Sequence, residues 1–263
     1  MDILNETEHK KENFLPCAQP WSSVHINNDG TVLFNAAGDQ RMEMAGTGNV
    51  HNLTLSKSDN DLVTFGNLTV EGNLSITLAT VHTMRPNNAS ETLTVTGDVT
   101  IVEGKLGDVT NYTGAHSFGS LTIESGGTYI ATSGTTTITG IVTGAGPTAY
   151  SQSGTFTHNG GTMKFNYAGN QKILATTSFD NLIIDGDGGT KEFQALTIAG
   201  DLDVTASDTF KSDNGTEALT VGGGVDVSGI LGSGETGAFE FGGIRINSGG
   251  TYNATSGTTT VTN

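Results

Sequence analysis

The sequence predicts an all-β chain folded as a parallel β-helix, a β-solenoid with Gly, Asn and Asp at its bends, built from two related blocks. Three observations carry that prediction. A nine-residue phrase recurs, as Leu-Thr-Val-Glu-Gly-Asn-Leu-Ser-Ile at 68–76, Leu-Thr-Val-Thr-Gly-Asp-Val-Thr-Ile at 93–101, Leu-Thr-Ile-Ala-Gly-Asp-Leu-Asp-Val at 196–204 and Leu-Thr-Val-Gly-Gly-Gly-Val-Asp-Val at 219–227. Apolar and polar residues alternate on both sides of its central glycine, the period of a strand with one buried face. The whole set of phrases is then repeated along the chain in the same order, the mark of a repeat architecture.

Each copy of the phrase reads as two short strands around a bend. Inward positions Leu68, Val70, Leu74 and Ile76 are expected to stack on Leu93, Val95, Val99 and Ile101. Leu196, Ile198, Leu202 and Val204 are expected to stack likewise on Leu219, Val221, Val225 and Val227. All sixteen are aliphatic, as a shared narrow interior demands. Looser copies follow at 121–129 and 244–252. The phrases start 25 and 28 residues apart in the first block and 23 and 25 apart in the second, one solenoid turn each.

The long repeat matches Gly30–Gln40 to Gly161–Gln171, and Gly126–Thr139 to Gly249–Thr262, with an offset that shrinks from 131 to 123. The organisation expected is an arm over 1–23, a solenoid block over 24–140, a connecting loop over 141–154 and a second block over 155–263. Residues 1–13 suit a short helix or no regular structure, and no dozen-residue window has helical periodicity. Residues 78–91 and 141–153 break the pattern and hold Pro86 and Pro147, so they read as loops or insertions. The strand-like ending Thr-Thr-Thr-Val-Thr-Asn leaves a ladder open, so the natural chain is expected to continue or another chain to cover it.

Composition sets further bounds. The 38 glycines among 263 residues follow no three-residue period, which excludes collagen and suits many tight bends. With 27 acidic against 11 basic residues the net charge is −16. That charge opposes binding to nucleic acid and to anionic membranes, and no apolar run reaches membrane-spanning length, so neither nucleic acid nor membrane insertion is expected. Cys17 is the only cysteine, so no intrachain disulfide forms. The polar start of the sequence lacks the features of a cleaved secretory signal.

Several local patterns invite chemistry. The segment Cys17-Ala-Gln-Pro-Trp-Ser-Ser-Val-His-Ile-Asn-Asn-Asp-Gly30 resembles the opening of the SPASM iron–sulfur segment of radical enzymes, but Asn35 stands where the next cysteine would fall. One thiolate does not hold a cluster. The segment reads instead as strands Ser23–Ile26 and Thr31–Phe34 around an Asp-Gly turn, with Trp21 capping the core. Asp185-Gly-Asp-Gly-Gly189 looks like the start of a calcium loop, yet Leu196 occupies the twelfth position, and a bend between strands is the better reading. Asp59-Asn-Asp61 is read the same way. The histidines His9, His25, His51, His82, His116 and His158 show no metal-ligand spacing. Outward Asp201, Asp203 and Asp226 are candidate groove carboxylates, expected to be solvated rather than catalytic. Thr135 and Thr137 suggest a hydroxyl array, and the eight Asn-x-Ser/Thr sequons follow from Asn at bends and Thr on strands. No catalytic, cofactor-binding or metal residue is assigned, and no cofactor is expected.

The repeated phrases, with their Asn-Leu-Thr and Gly-Asp-Leu turns, resemble the β-solenoid stretches of phage tail fibres and tail spikes and of large bacterial surface adhesins. The resemblance covers residues 24–263. It implies a non-catalytic virion structural or host-attachment protein, a homo-oligomer with a trimer favoured, partnered by other virion proteins or a cell-surface glycan. The alternatives it leaves are a cell-surface adhesin fragment, located extracellularly, and a polysaccharide depolymerase.

Overall fold

The computed structural model describes residues 30–35, 38–42, 49–58, 62–79, 82–108, 112–174 and 178–262. The expected arm, the helix over 1–13, Cys17, Trp21, the strand at 23–26 and the Asp59–Asp61 turn lie outside the described residues. Among the described residues there is no helix, and 26 strands form one sheet whose pairings are all parallel.

The chain winds as a three-faced coil. The first turn is β1 (Thr31–Phe34), β2 (Gln40–Met42) and β3 (Asn49–Val50). The second turn is β4 (Asn52–Lys57), β5 (Leu62–Phe65) and β6 (Leu68–Val70), paired in that order with the strands below. The third comprises β7 (Leu74–Leu78), β8 (Thr83–Pro86) and the opening of β9 (Leu93–Leu106). Strands β9 and β10 (His116–Ile130) continue through the corners, so that each serves three faces in succession. About ten turns at a strand spacing of about 4.8 Å give a stack roughly 50 Å long.

All sixteen predicted inward positions are buried, none more than 3% exposed. Leu68 and Val70 lie in register with Leu93 and Val95, and Leu74 and Ile76 with Val99 and Ile101. The second block repeats this with Leu196 on Leu219 and Leu202 on Val225. The register follows from the pattern, because a slip of one residue would turn each aliphatic column into water.

Two stretches differ from the loops expected. Within 78–91, Thr83–Pro86 forms β8 on β5, with Pro86 as its last residue opposite Phe65. A proline is tolerated at a strand end, where its missing N–H removes little from the ladder. Within 141–153, Thr148–Gln152 forms β12, and Thr155–Thr157 follows as β13. These two strands sit between β11 (Thr135–Ile138) and β14 (Thr162–Phe165) and change how the blocks are stacked.

By sequence β14 is the second copy of β1, but it pairs with β11 and so extends the third face, whereas β1 opens the first. Counting each face crossed by β9 and β10, the path from β1 to β14 is seventeen strand steps, five turns and two thirds of a sixth. The second copy therefore lies one face out of phase with the first. At this junction the aliphatic interior gives way to rings: Tyr150 stacks edge-on against Phe156 and Phe179, and Phe156 lies 5.5 Å from Phe179. Those contacts join β13 to β16 (Ser178–Phe179) across the boundary.

The bend of the repeated phrase has a specific chemistry. The side-chain oxygen of Asn52 accepts from the Asn73 amide at 2.8 Å, and that of Asn73 accepts from the Asp98 amide at 2.8 Å. Asn181 accepts from Asp201, and Asp201 from Gly224, at 3.0 and 2.7 Å. Each Asn or Asp thus caps the corner of the next turn, meeting an amide that the bent ladder leaves unpaired. The preceding glycine must approach that cap closely. A Cβ on Gly97 would lie 2.2 Å from Asn73 Oδ1 and 2.7 Å from Gly72 O, and one on Gly223 would lie 2.3 Å from Asp201 Oδ1.

The longest repeated segment is explained by bonds made twice. Tyr129 OH meets Thr136 Oγ1 at 2.8 Å, and Tyr252 OH meets Thr259 Oγ1 at 2.8 Å. Thr132 Oγ1 accepts from the Gly134 amide, and Thr255 Oγ1 from the Gly257 amide.

Gly97→Ala is expected to destabilise the chain by about 2 kcal/mol, because the new methyl overpacks a backbone corner. Gly243→Ala, whose Cβ meets nothing within 4 Å, is the control and is expected to change stability by less than about 0.5 kcal/mol. Thermal unfolding followed by circular dichroism checks the pair; equal melting temperatures would refute the corner account.

Candidate functional site

The outer faces carry columns in register from strand to strand. On the first face Thr54, Ser75, Thr100 and Thr122 form a neutral hydroxyl column. Their repeat counterparts are Ile183, Asp203, Asp226 and Arg245, in register along the third face on β17 (Asn181–Ile184), β20 (Leu202–Val204), β22 (Leu219–Val227) and β24 (Phe239–Ile246). A groove of about 590 Å³ runs beside this charged column, floored by Gly224 and Gly243 at the corner. In the first copy those two corner positions hold Asp98 and Ser120. Neither glycine is forced by its backbone: a Cβ on Gly224 meets only Asp201 Oδ1 at 3.7 Å.

Of the three aspartates picked out from the sequence, the structure brings Asp203 and Asp226 side by side on adjacent strands. Asp201 sits at the corner, where its carboxylate caps the Gly224 amide. Arg245 grips Asp226 through two bonds of 2.5 Å, Nε to Oδ1 and Nη2 to Oδ2. With exposures of 71% and 41% that pair orients the carboxylate more than it stabilises the fold. Partial burial pushes the Asp203 carboxyl above its ordinary range, aided by the negative charges of Asp226 and Asp185. Like charges in register on neighbouring strands disfavour one another. Asp203, whose carboxyl keeps its proton more readily, and Asp226, bonded to a guanidinium, thus lie in register as a set able to exchange hydrogen bonds with hydroxyl groups.

The Asp185–Gly189 segment is a bend between β17 and β18 (Thr190–Phe193). Asp185 pairs with Lys164 and accepts from Thr205 Oγ1, and the Lys164 ammonium holds its carboxyl below the usual range. The oxygens around this loop enclose a cation belonging to the chain itself. Lys191 points inward, fully buried, and its ammonium donates to Tyr167 O at 2.8 Å, Gly188 O at 2.6 Å and Asp208 Oδ1 at 2.8 Å. The second Asp208 oxygen accepts from the Gly186 amide and Thr205 Oγ1. The resemblance to a calcium loop has this physical root: carbonyl and carboxylate oxygens suit either kind of cation.

The described histidines do not converge. His116 and His82 are buried, and His158 Nδ1 lies 3.9 Å from Asp180 Oδ1. No three His, Cys, Asp or Glu side chains among the described residues are grouped as a metal site. Thr135 and Thr137 belong to β11, where Thr137 continues a third-face column of Thr69, Thr94 and Ser117.

Fold and surface together define a duplicated three-faced parallel β-solenoid whose copies share an interior and differ in their outer columns. Compared with known proteins, the chain matches no family model, no curated protein and no solved structure.

Lys191→Met is expected to cost about 3–5 kcal/mol by stranding the buried Asp208 carboxylate, and Lys191→Met with Asp208→Leu to restore most of that loss. Chemical denaturation of both single variants and of the double variant measures this, and a double-variant loss equal to the sum of the two single losses would show that the pair is not coupled.

Proposed function

We propose that the chain is a non-catalytic attachment rod, a structural part of a virion in the manner of a tail fibre or spike, with the third-face groove as its contact surface for a cell-surface glycan. The observation that supports this reading is the contrast between the two copies. The sixteen aliphatic inward positions and the first two corner caps recur in both, whereas Thr54, Ser75, Thr100 and Thr122 correspond to Ile183, Asp203, Asp226 and Arg245. A stiff stack holds such a column at fixed spacing, as recognition of an extended ligand requires. The carboxyl groups and guanidinium offer bidentate acceptors and donors to hydroxyls, and the net charge of −16 disfavours polyanionic partners. Assembly as a homo-oligomer, a trimer in preference, multiplies weak contacts by avidity. A rod on a bacterial surface, an adhesin, rests on the same features.

A specific observation favours a second reading, polysaccharide cleavage: Asp203, its carboxyl raised by partial burial, lies beside the Asp226 side chain at a groove. The two readings separate by product. On an array of bacterial surface glycans the attachment reading expects binding without release of reducing ends. Asp203→Asn with Asp226→Asn is expected to weaken that binding at least about tenfold, while Ser75→Ala leaves it unchanged. Release of reducing ends that the double variant abolishes would replace attachment by cleavage, and an array with no bound glycan would remove the groove as a contact surface. Immunogold labelling of virions and of cells separates the virion rod from the adhesin.

A further inference from the structure

We propose that His116 makes the first block acid-labile: protonating it opens the stack around β9, β10 and β11 while the second block holds. His116 is 1% exposed on the inner side of β10. Its Nδ1 shares a hydrogen bond of 2.9 Å with Tyr129 OH, which continues to Thr136 Oγ1 at 2.8 Å. Its Nε2 is buried and has no hydrogen-bond partner. A neutral ring tolerates this, because one nitrogen is a donor and the other an acceptor. The imidazolium does not: both nitrogens then carry protons, and one points into an apolar interior with nothing to accept it.

The groups that face His116 offer no compensating charge. Leu93 on β9 lies below it in register and Thr136 on β11 above it, with Phe118 and Tyr129 of its own strand 5.6 and 6.1 Å away between ring centres. Tyr129 is the one titratable group among them, and burial pushes its phenol upward, away from the acid range. Burial alone lowers the His116 imidazole to about 4. The folded state therefore binds this proton less readily than the unfolded chain, whose histidine titrates near 6.5. Stability is complete above about pH 6.5 and falls as the pH drops from there towards 4.

The duplication supplies an internal control. The counterpart of His116 is Phe239, buried to 1% on β24, while the Tyr–Thr bond beside it is kept as Tyr252–Thr259. The same fold position is thus ionisable in one copy and not in the other.

Hydrogen exchange by mass spectrometry on the full chain, corrected for intrinsic rates, tests the proposal. Between pH 7.5 and 4.5 the opening equilibrium of β9–β11 is expected to rise about fifty- to a hundredfold, the factor set by the two histidine titrations. Strands β22 to β26 (Thr259–Val261) are expected to change far less. His116→Phe should remove most of the rise, and Phe239→His should transfer it to the second block. Equal acid response of the two blocks, or a His116→Phe chain that keeps more than half of the rise, would overturn the proposal. Should His116→Phe not fold, Phe239→His alone decides, since an unaltered second block would equally refute it.

Discussion

Everything in this chain depends on one constraint: each turn must lie on the turn below it at the spacing of a hydrogen-bonded parallel ladder. A difference of even one residue between successive corners has to be absorbed locally, or all three faces lose register. The chain meets this with a corner that bonds to its own copy. Asn52 and Asn73 each carry a side-chain oxygen that takes the place of a missing ladder acceptor for the turn above, and Asp98 Oδ1 accepts from the Ser120 hydroxyl there. Gly72 and Gly97, which face the Asn52 and Asn73 oxygens from the turn above, are the space those bonds require. Interior and corner then impose the same periodicity, and local and global preferences agree.

That agreement is why so much of the fold was legible in the sequence. The sixteen aliphatic positions and their pairing follow from alternation plus repetition, two signals that survive without any knowledge of tertiary contacts. What remained hidden has a physical reason in each case. Strand β8 ends in Pro86, which by itself signals a break. Strands β12 and β13 belong to no repeat, and their core residues are the aromatic Tyr150 and Phe156 in place of aliphatic pairs. The one-face phase shift therefore had no sequence signature, although it decides which columns share a face. Lys191 also escaped notice, since a lysine at an inward register is interpretable only once the carbonyls of Tyr167 and Gly188 are seen to converge on it. Asp203 and Asp226 were recognisable as outward acids, but their juxtaposition follows from register.

The two copies have diverged unevenly, and the pattern separates support from function. Residues that repeat are those that hold a turn to its neighbour: aliphatic columns, corner caps, and the paired Tyr–Thr bonds. The outer columns differ most, hydroxyls in one copy becoming two acids, an arginine and an isoleucine in the other, with a few inward and corner changes such as His116 to Phe239 and Asp98 to Gly224. Placing Asp203 against Asp226 works against the sheet, so selection for stability alone does not account for it. The phase shift adds a geometric effect. It lines up the charged column of the second copy with the Thr69–Thr137 column of the first on a single face, a juxtaposition that an in-phase duplication would not produce.

Buried polar groups show the same division inside the core. Lys191 and Asp208 have all their bonds supplied by neighbouring loops, so burying two charges there fixes one arrangement of those loops and excludes others. His116 is placed where only its neutral form is satisfied. In a globular domain with one shared core such a weak point would lower the stability of the whole. In a solenoid each turn contacts chiefly the turns beside it, so free energy is held locally and a defect opens the neighbouring turns first. The two blocks meet through the ring cluster of Tyr150, Phe156 and Phe179, a packed boundary made by β12 and β13 against β16 of the second copy. A boundary of that kind lets one block loosen while the strands beyond it keep their ladders, because those strands draw their pairing from their own successors in the stack.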